Sequence, residues 1–366
     1  MGVHVAILGA GPAGCSCAFH LLRGGYSVTL IEAKAFPRVK VCGEFVSPAA
    51  TSCLELLLSA DELAALGARR VGMLAMEVGD RVLEWAMPSP AWVLSRRGLD
   101  HALLERVRDA GATVMQPVRV ARVEYEDDGV RVMLADGSAV RADLVVHADG
   151  SGRHDPAGPT PVRPGVVGLK CHLRLPPHAV IKGLRMRAGR GAYVGFVGVE
   201  DGEATAALVA SDRLLRRHKA DRDALLRALW PAYDSAWRSS EWLACPVAGS
   251  GYIAPGHQRS FRIGNAAGAV EPVGGEGIGM ALWAGMMLAQ LLNTNDLPAT
   301  HAEFARLYRA RLRWRRPACR LASMALVRPR LVSAMMPLLS AMPGLTLRPW
   351  YALTGKPIAA QPSGFF

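Results

Sequence analysis

Two rhythms of apolar and polar positions run through the chain. Short, nearly unbroken apolar stretches recur at Val3–Leu8, Tyr26–Ile31, Leu144–Ala148 and Ser260–Gly264. Such stretches predict strands buried on both faces, as in a parallel sheet between helix layers. A helical rhythm lies between them, over Cys15–Arg23, Ala102–Ala110 and Met280–Leu292. The second rhythm is looser alternation. Gly72–Met87 alternates on either side of Gly79-Asp80 and predicts a hairpin. Val166–Leu175, Gly183–Met186, Ala192–Val199 and Thr205–Ala210 predict the strands of a second sheet, with Glu200–Glu203 as one turn. The reading is an α/β chain: a parallel-sheet domain with an inserted β-sheet domain, followed by helices. The expected division assigns residues 1–75, 92–165 and 250–300 to the first domain. Residues 76–91 and 166–249 form the second, and 301–366 a basic C-terminal helical region.

The first strand runs directly into Gly9-Ala10-Gly11-Pro12-Ala13-Gly14, with glycines at the G-x-G-x-x-G spacing. Gly9 permits the tight turn, Gly11 lets the backbone approach a pyrophosphate, and Gly14 lets the helix pack on the sheet. The helix N-terminus presents free N–H groups to an anion. A second strand ends at Glu32, 18 positions beyond Gly14, where an acid meets the ribose hydroxyls of an adenosine. Strand, turn, helix, strand and acid in this order specify a dinucleotide site, so the first domain is read as a Rossmann-like dinucleotide-binding domain and the inserted β-sheet as a substrate domain.

Composition narrows the picture. The 366 residues are 51% hydrophobic, enough for two modest domains. Seven cysteines without a C-x-x-C pair read as free thiols of a cytoplasmic protein, and no metal-ligand spacing of His and Cys appears. Met1 runs straight into the first strand, so no signal peptide is expected, and no apolar run is long enough to span a bilayer. The formal charge of +12 gathers late in the chain. Phe304–Arg330 holds nine arginines and no acid, and a nearly uncharged stretch with Pro337 and Pro343 follows. This pattern reads either as a peripheral membrane contact or as a helical lid with a solvated arginine face. Nucleic acid is excluded as a partner because no nucleic-acid fold accompanies the charge.

Three further stretches bear on chemistry. They are Ser95-Arg96 with Leu99-Asp100, Ala148-Asp149-Gly150, and the run from Gly264-Asn265 through Pro272 to Gly275, Gly277 and Ile278. Together with the first glycine turn they resemble the FAD-dependent monooxygenase superfamily. This group includes aromatic hydroxylases, flavin-dependent halogenases and geranylgeranyl reductases, and the likeness covers residues 1 to about 310. The resemblance implies a glutathione-reductase-type FAD fold. It places Gly9, Gly11, Pro12, Ala13, Gly14, Glu32 and Ala33 at the adenosine and pyrophosphate end. Arg96, Asp149, Gly150, Gly264 and Asn265 fall along the ribityl and phosphate part, and Gly275, Gly277 and Ile278 along the isoalloxazine. Asn265 stands where the family usually has Asp, and Arg153 follows a shortened spacing.

Lys40-Val41-Cys42-Gly43-Glu44 resembles the K-x-C-G loop of geranylgeranyl reductase-like proteins and, with Pro48, the G-E-x-x-x-P loop of halogenase-like members. By the resemblance this loop lies beside the flavin, so Cys42, Gly43 and Glu44 are the candidate catalytic residues. Tyr193, Phe196 and Pro272 are candidates for the substrate pocket. The implied activity is hydroxylation of a biosynthetic aromatic or lipid-like substrate by a flavin C4a-hydroperoxide. The alternatives are reduction of prenyl alkenes, a halogenase-like activity (although the W-x-W-x-I-P signature is absent), or non-catalytic electron transfer. NAD(P)H is the expected donor, directly or through a separate flavin reductase.

Overall fold

The computed structural model describes residues 2–249, 251–342 and 344–358. Met1, Ser250, Pro343 and residues 359–366, which the expected ranges include, lie outside the described residues. The four buried apolar runs form strands as expected. With Thr113–Met115 they make a five-stranded parallel sheet in the order Ser260–Arg262, Leu144–His147, His4–Leu8, Ser27–Ile31, Thr113–Met115. Val5, Ala6, Ile7 and Leu30 are fully buried because helices cover one face and a small antiparallel sheet covers the other. That small sheet comprises Val120–Tyr125, Val130–Leu134 and Ala139–Ala142.

The helix Pro12–Arg23 starts at the glycine turn, with proline at its first position, where its missing N–H costs nothing. It crosses the helix Glu276–Leu291 so closely that a Cβ on Gly285 would lie 2.5 Å from the Ala13 carbonyl oxygen. The Ser16 hydroxyl donates to the Leu282 carbonyl at 2.7 Å across the same contact.

The second sheet has eight strands. Leu243–Ala248, Val162–Arg174, Glu203–Ser211, Ala192–Gly198 and Leu184–Gly189 pair antiparallel in that order. Leu184–Gly189 then pairs parallel with Arg69–Val78, which forms the expected hairpin with Arg81–Val93. Phe45–Val46 closes the edge. The hairpin is longer at both ends than the expected Gly72–Met87. Pairing continues from Val78 opposite Arg81 to Arg69 opposite Val93, past a register shift between Val71 and Met73. Pro88 and Pro90 obscure the alternation there, so the sequence pattern stops short.

Three helices end the described chain: Leu297–Leu326, Pro329–Ala341 and Gly344–Thr354. Pro337 does not break the second of them. Val332 and Met336 are buried against the eight-stranded sheet, and that packing holds the helix together across the missing N–H.

Candidate cofactor and substrate site

The first glycine turn, the Asp149 turn and the second glycine loop converge. Gly9 has φ near +106°, and a Cβ there would lie 2.8 Å from the Ala148 carbonyl and from the Asp149 Cα. A Cβ on Gly14 would overlap the Gly9 carbonyl oxygen at 1.9 Å. One on Gly264 would meet the Ala13 Cβ at 2.9 Å, and one on Gly150 would come within 4.0 Å of Asn265. The buried Glu32 carboxylate accepts from the Ala10 N–H at 3.0 Å and from the Lys34 N–H at 2.9 Å, which fixes it at the end of its strand. Ala33 beside it is exposed. The Asp149 carboxylate is engaged in its own turn, accepting from Ser151 at 2.6 Å and from the Gly152 N–H at 2.8 Å.

A second constellation adjoins the first. The helix Arg96–Asp109 is capped by Ser95, and the Arg96 guanidinium forks onto Asp100 one turn later, at 2.6 and 2.7 Å. Asp100 is fully buried, and Lys40 adds its ammonium at 3.4 Å. Burial opposes ionisation of Asp100, but Arg96 and then Lys40 outweigh it and lower its pKa. The Lys40 ammonium also lies 3.6 Å from where a Cβ on Gly11 would be. The mouth of the glycine turn is therefore cationic, as a pyrophosphate requires.

Glu44 forms the third part. It has φ near +57° and is fully buried. One oxygen accepts from the Arg96 N–H at 2.7 Å and from the Lys170 ammonium. The other accepts from His172 Nε2 at 2.8 Å and from the Thr205 hydroxyl. Burial alone would raise its pKa, but the His172 bond and the Lys170 charge hold it at about 2. With four donors and no solvent access it has no proton to give and no free lone pair to take one. Glu44 is thus a tether between loop and sheet, which corrects its expected catalytic role. Cys42 is half-buried, and its sulfur accepts from the Glu44 N–H at 3.4 Å. Gly43 is exposed and faces Ala207. The candidate catalytic triplet therefore divides into one tether and two residues that border open space.

The second glycine loop completes the groove. Asn265 is the one exposed residue between Ser260 and Glu271. Pro272 and Gly277 are exposed too, and nothing stands within 4 Å of a Cβ on Gly277. Gly275 has φ near +65°, and its Cβ would strike the Phe45 ring at 2.5 Å. Ile278 is buried beneath. Glu276 is buried with its carboxylate held by Lys356 and by Arg315 at 3.5 Å. The segment carrying Lys356 also bonds to the hairpin, Ser89 donating to the Pro357 carbonyl at 2.6 Å and Tyr351 to the Ser89 carbonyl at 3.2 Å. The C-terminal segment thus straps the helix start to the large sheet.

Of the three pocket candidates, Pro272 is exposed at the second glycine loop, and Tyr193 and Phe196 do not share a face. Tyr193 and Phe196 are three residues apart on one strand, so they face opposite sides of the sheet. Phe196 packs outward on Trp230, with ring centroids 5.0 Å apart. Tyr193 lies on the face that carries Lys170, Ala207, Gly195 and Met186 in one cross-strand row. Ala207 and Gly195 leave a low, apolar floor between Lys170 and the methionine. Val332 and Met336 of the C-terminal helices cover part of this face. Lys170, His172, Thr205, Asp100 and Lys356 were not among the sequence candidates.

The groove fits a dinucleotide with an extended second half. Gly43 and Gly277 border open space, Gly11 faces the Lys40 ammonium, and the Glu32 carboxylate stands at the end of the second strand. Residues 2–154 match the family model of the FAD binding domain. Residues 2–154 are therefore an FAD-binding domain, and the chain is similar to proteins of the FAD-dependent monooxygenase superfamily. It is 28% identical over 331 residues to menaquinone reductase of Mycobacterium tuberculosis, covering 80% of this chain and 77% of that protein. It is 29% identical over 158 residues to 6-hydroxynicotinate 3-monooxygenase of Bordetella bronchiseptica, covering 40% of each. Its fold is similar to that of Pseudomonas aeruginosa PqsL, solved in complex with 2-aminobenzoylacetate. The TM-score is 0.77 at 18% identity, over 92% of this chain and 100% of that one.

Proposed function

We propose that the chain is an FAD-dependent monooxygenase acting on an apolar biosynthetic substrate, aromatic or lipid-like. The observation that carries the reading is the meeting of a dinucleotide groove with an apolar, small-residue floor at Ala207 and Gly195. When bound, FAD supplies the electron transfer and the activation of oxygen; the chain positions and shields. Glu32 binds the ribose of the adenosine, using the lone pairs left by Ala10 and Lys34. Lys40, Arg96 and the Pro12–Arg23 helix N-terminus hold the phosphates. Gly150, Gly264 and Asn265 line the ribityl part. Gly275, Gly277 and the start of the Glu276–Leu291 helix receive the ring, whose anionic reduced form a helix N-terminus stabilises. Cys42 and Gly43 border the ring, and Glu44 fixes their loop.

The three-sheet arrangement supports a glutathione-reductase-type FAD domain and a division into cofactor and substrate domains near the expected boundaries. No second glycine-rich βαβ unit stands out in the sequence, so NAD(P)H visits transiently or a separate reductase delivers electrons.

A second reading is reduction of an alkene in a prenyl chain. It is favoured by one observation, the match to menaquinone reductase along most of both chains. One experiment separates the two. The FAD-loaded protein is incubated with NAD(P)H or a reducing flavin system and a panel of quinones, prenyl lipids and aromatic acids, with and without O2. A product heavier by one oxygen atom, formed only with O2, supports hydroxylation. A product heavier by two hydrogens, formed without O2 and still heavier after air has reoxidised any quinol, supports alkene reduction. Flavin turnover that alters no compound of either class refutes both.

A further inference from the structure

The two helices Leu297–Leu326 and Pro329–Ala341 have an inner and an outer face. Inward, Phe304, Tyr308, Leu312 and Cys319 are buried on the cofactor domain, and Val332 and Met336 on the apolar face of the large sheet. Outward, the arrangement is not what a solvated lid needs. Trp314, Leu321 and Met324, at helical spacing i, i+7 and i+10, share one side and are exposed, Trp314 by 56% and Leu321 by 66%. Leu331, Met335 and Leu338 continue the exposed apolar surface onto the next helix, with Leu338 62% exposed.

Arginines flank this surface. Arg309, Arg313, Arg320, Arg328 and Arg330 are exposed, and no Asp or Glu occurs from Phe304 to the end of the sequence. Arg313, Arg320 and Arg330 have no carboxylate partner among the described residues. Among these residues no helix is long and apolar enough to cross a membrane. Large apolar side chains set among arginines, with acids excluded, match an interface that is anionic at its surface and hydrocarbon just beneath.

We propose that this outer face docks on an anionic phospholipid bilayer, with Trp314, Leu321 and Leu338 entering the acyl boundary and Arg313 and Arg320 lying at the headgroups. The same helices cover part of the large sheet's apolar face around Tyr193 and Met186, so docking sets that side of the protein against the bilayer. The docking face rests on charge and exposure alone and stands whichever reaction the flavin performs.

The test is flotation of the full-length, FAD-loaded protein with two kinds of vesicle, phosphatidylcholine alone and phosphatidylcholine mixed with phosphatidylglycerol. The protein is expected to float with the mixed vesicles and to stay below with the neutral ones. Arg313→Gln/Arg320→Gln should weaken partitioning about 30-fold, taking about fivefold for each arginine near the surface. Leu321→Glu/Leu338→Glu should abolish it, with the flavin spectrum unchanged. If the leucine pair loses its flavin, the arginine pair, changed only at exposed positions, decides. The proposal is overturned if wild type floats with neither vesicle or equally with both, or if the variants float like wild type. It is also overturned if the leucine pair dissolves a dimer of a chain that binds no vesicles, since the face is then a protein interface.

Discussion

Replacing Glu44 by glutamine keeps the shape of the side chain and removes its charge. Lys170, 1% exposed, then stays buried without a counter-ion, and His172 loses its acceptor. Removing one partner of a buried pair costs about 3–5 kcal/mol. The pKa gives a similar figure. A fall from 4.5 to about 2 corresponds to about 3 kcal/mol of preference for the ionised form in the folded state. The sign follows from the direction. The folded pKa is depressed, so the contribution is complete above about pH 5 and is lost as the pH falls through the folded value near 2. Urea unfolding followed by tryptophan emission, at fixed FAD and pH 7, should show Glu44→Gln less stable by about 3 kcal/mol. Between pH 5 and 3, within the window of this shift, its stability should fall less steeply than that of wild type. Adding Lys170→Met removes the stranded ammonium and should restore more than half of the loss. A loss under about 1 kcal/mol, the range of an exposed pair, would refute the tether. So would a double variant weaker than the single.

Two further substitutions probe the groove. Gly14→Ala puts a methyl 1.9 Å from the Gly9 carbonyl oxygen, so the turn must open; purified protein should carry little flavin by its visible absorbance, and a fully yellow variant would contradict the geometry. Arg96→Met strips the fork from Asp100 and should weaken FAD binding at least tenfold in a fluorescence titration. Arg96→Lys should recover only part of this, because an ammonium cannot make the paired contact.

The parallel sheet was legible because strands buried on both faces leave unbroken apolar runs, and the glycine turn because its spacing is set by a ligand's approach. The partners of Glu44 were not. Leu169-Lys170-Cys171-His172-Leu173 alternates like any half-solvated strand, and the pattern cannot say that the polar side meets a buried carboxylate instead of water. The same two-residue period puts Tyr193 and Phe196, three positions apart, on opposite faces of the sheet. The strap was hidden for another reason. Lys356 and Glu276 are 80 positions apart, and neither sits in a motif that points to the other. On the lid, the arginine run announced a basic surface. Only the helix packing separates Arg315, buried on Glu276, from Arg313 and Arg320 at the surface.

The Glu44 tether also bears on how the protein acquires its cofactor. Its side-chain partners lie 126, 128 and 161 residues further along the chain. Loop closure over such separations is a slow part of folding, because the chain entropy is lost before the contacts form. The first glycine turn is no more local, since its helix bonds across to Leu282, 266 residues beyond Ser16. Both ends of the site therefore wait for late parts of the chain, one for the strands Val162–Arg174 and Glu203–Ser211 and the other for the Glu276–Leu291 helix. Capture of the cofactor by a refolding chain should therefore lag until that helix has packed on Pro12–Arg23.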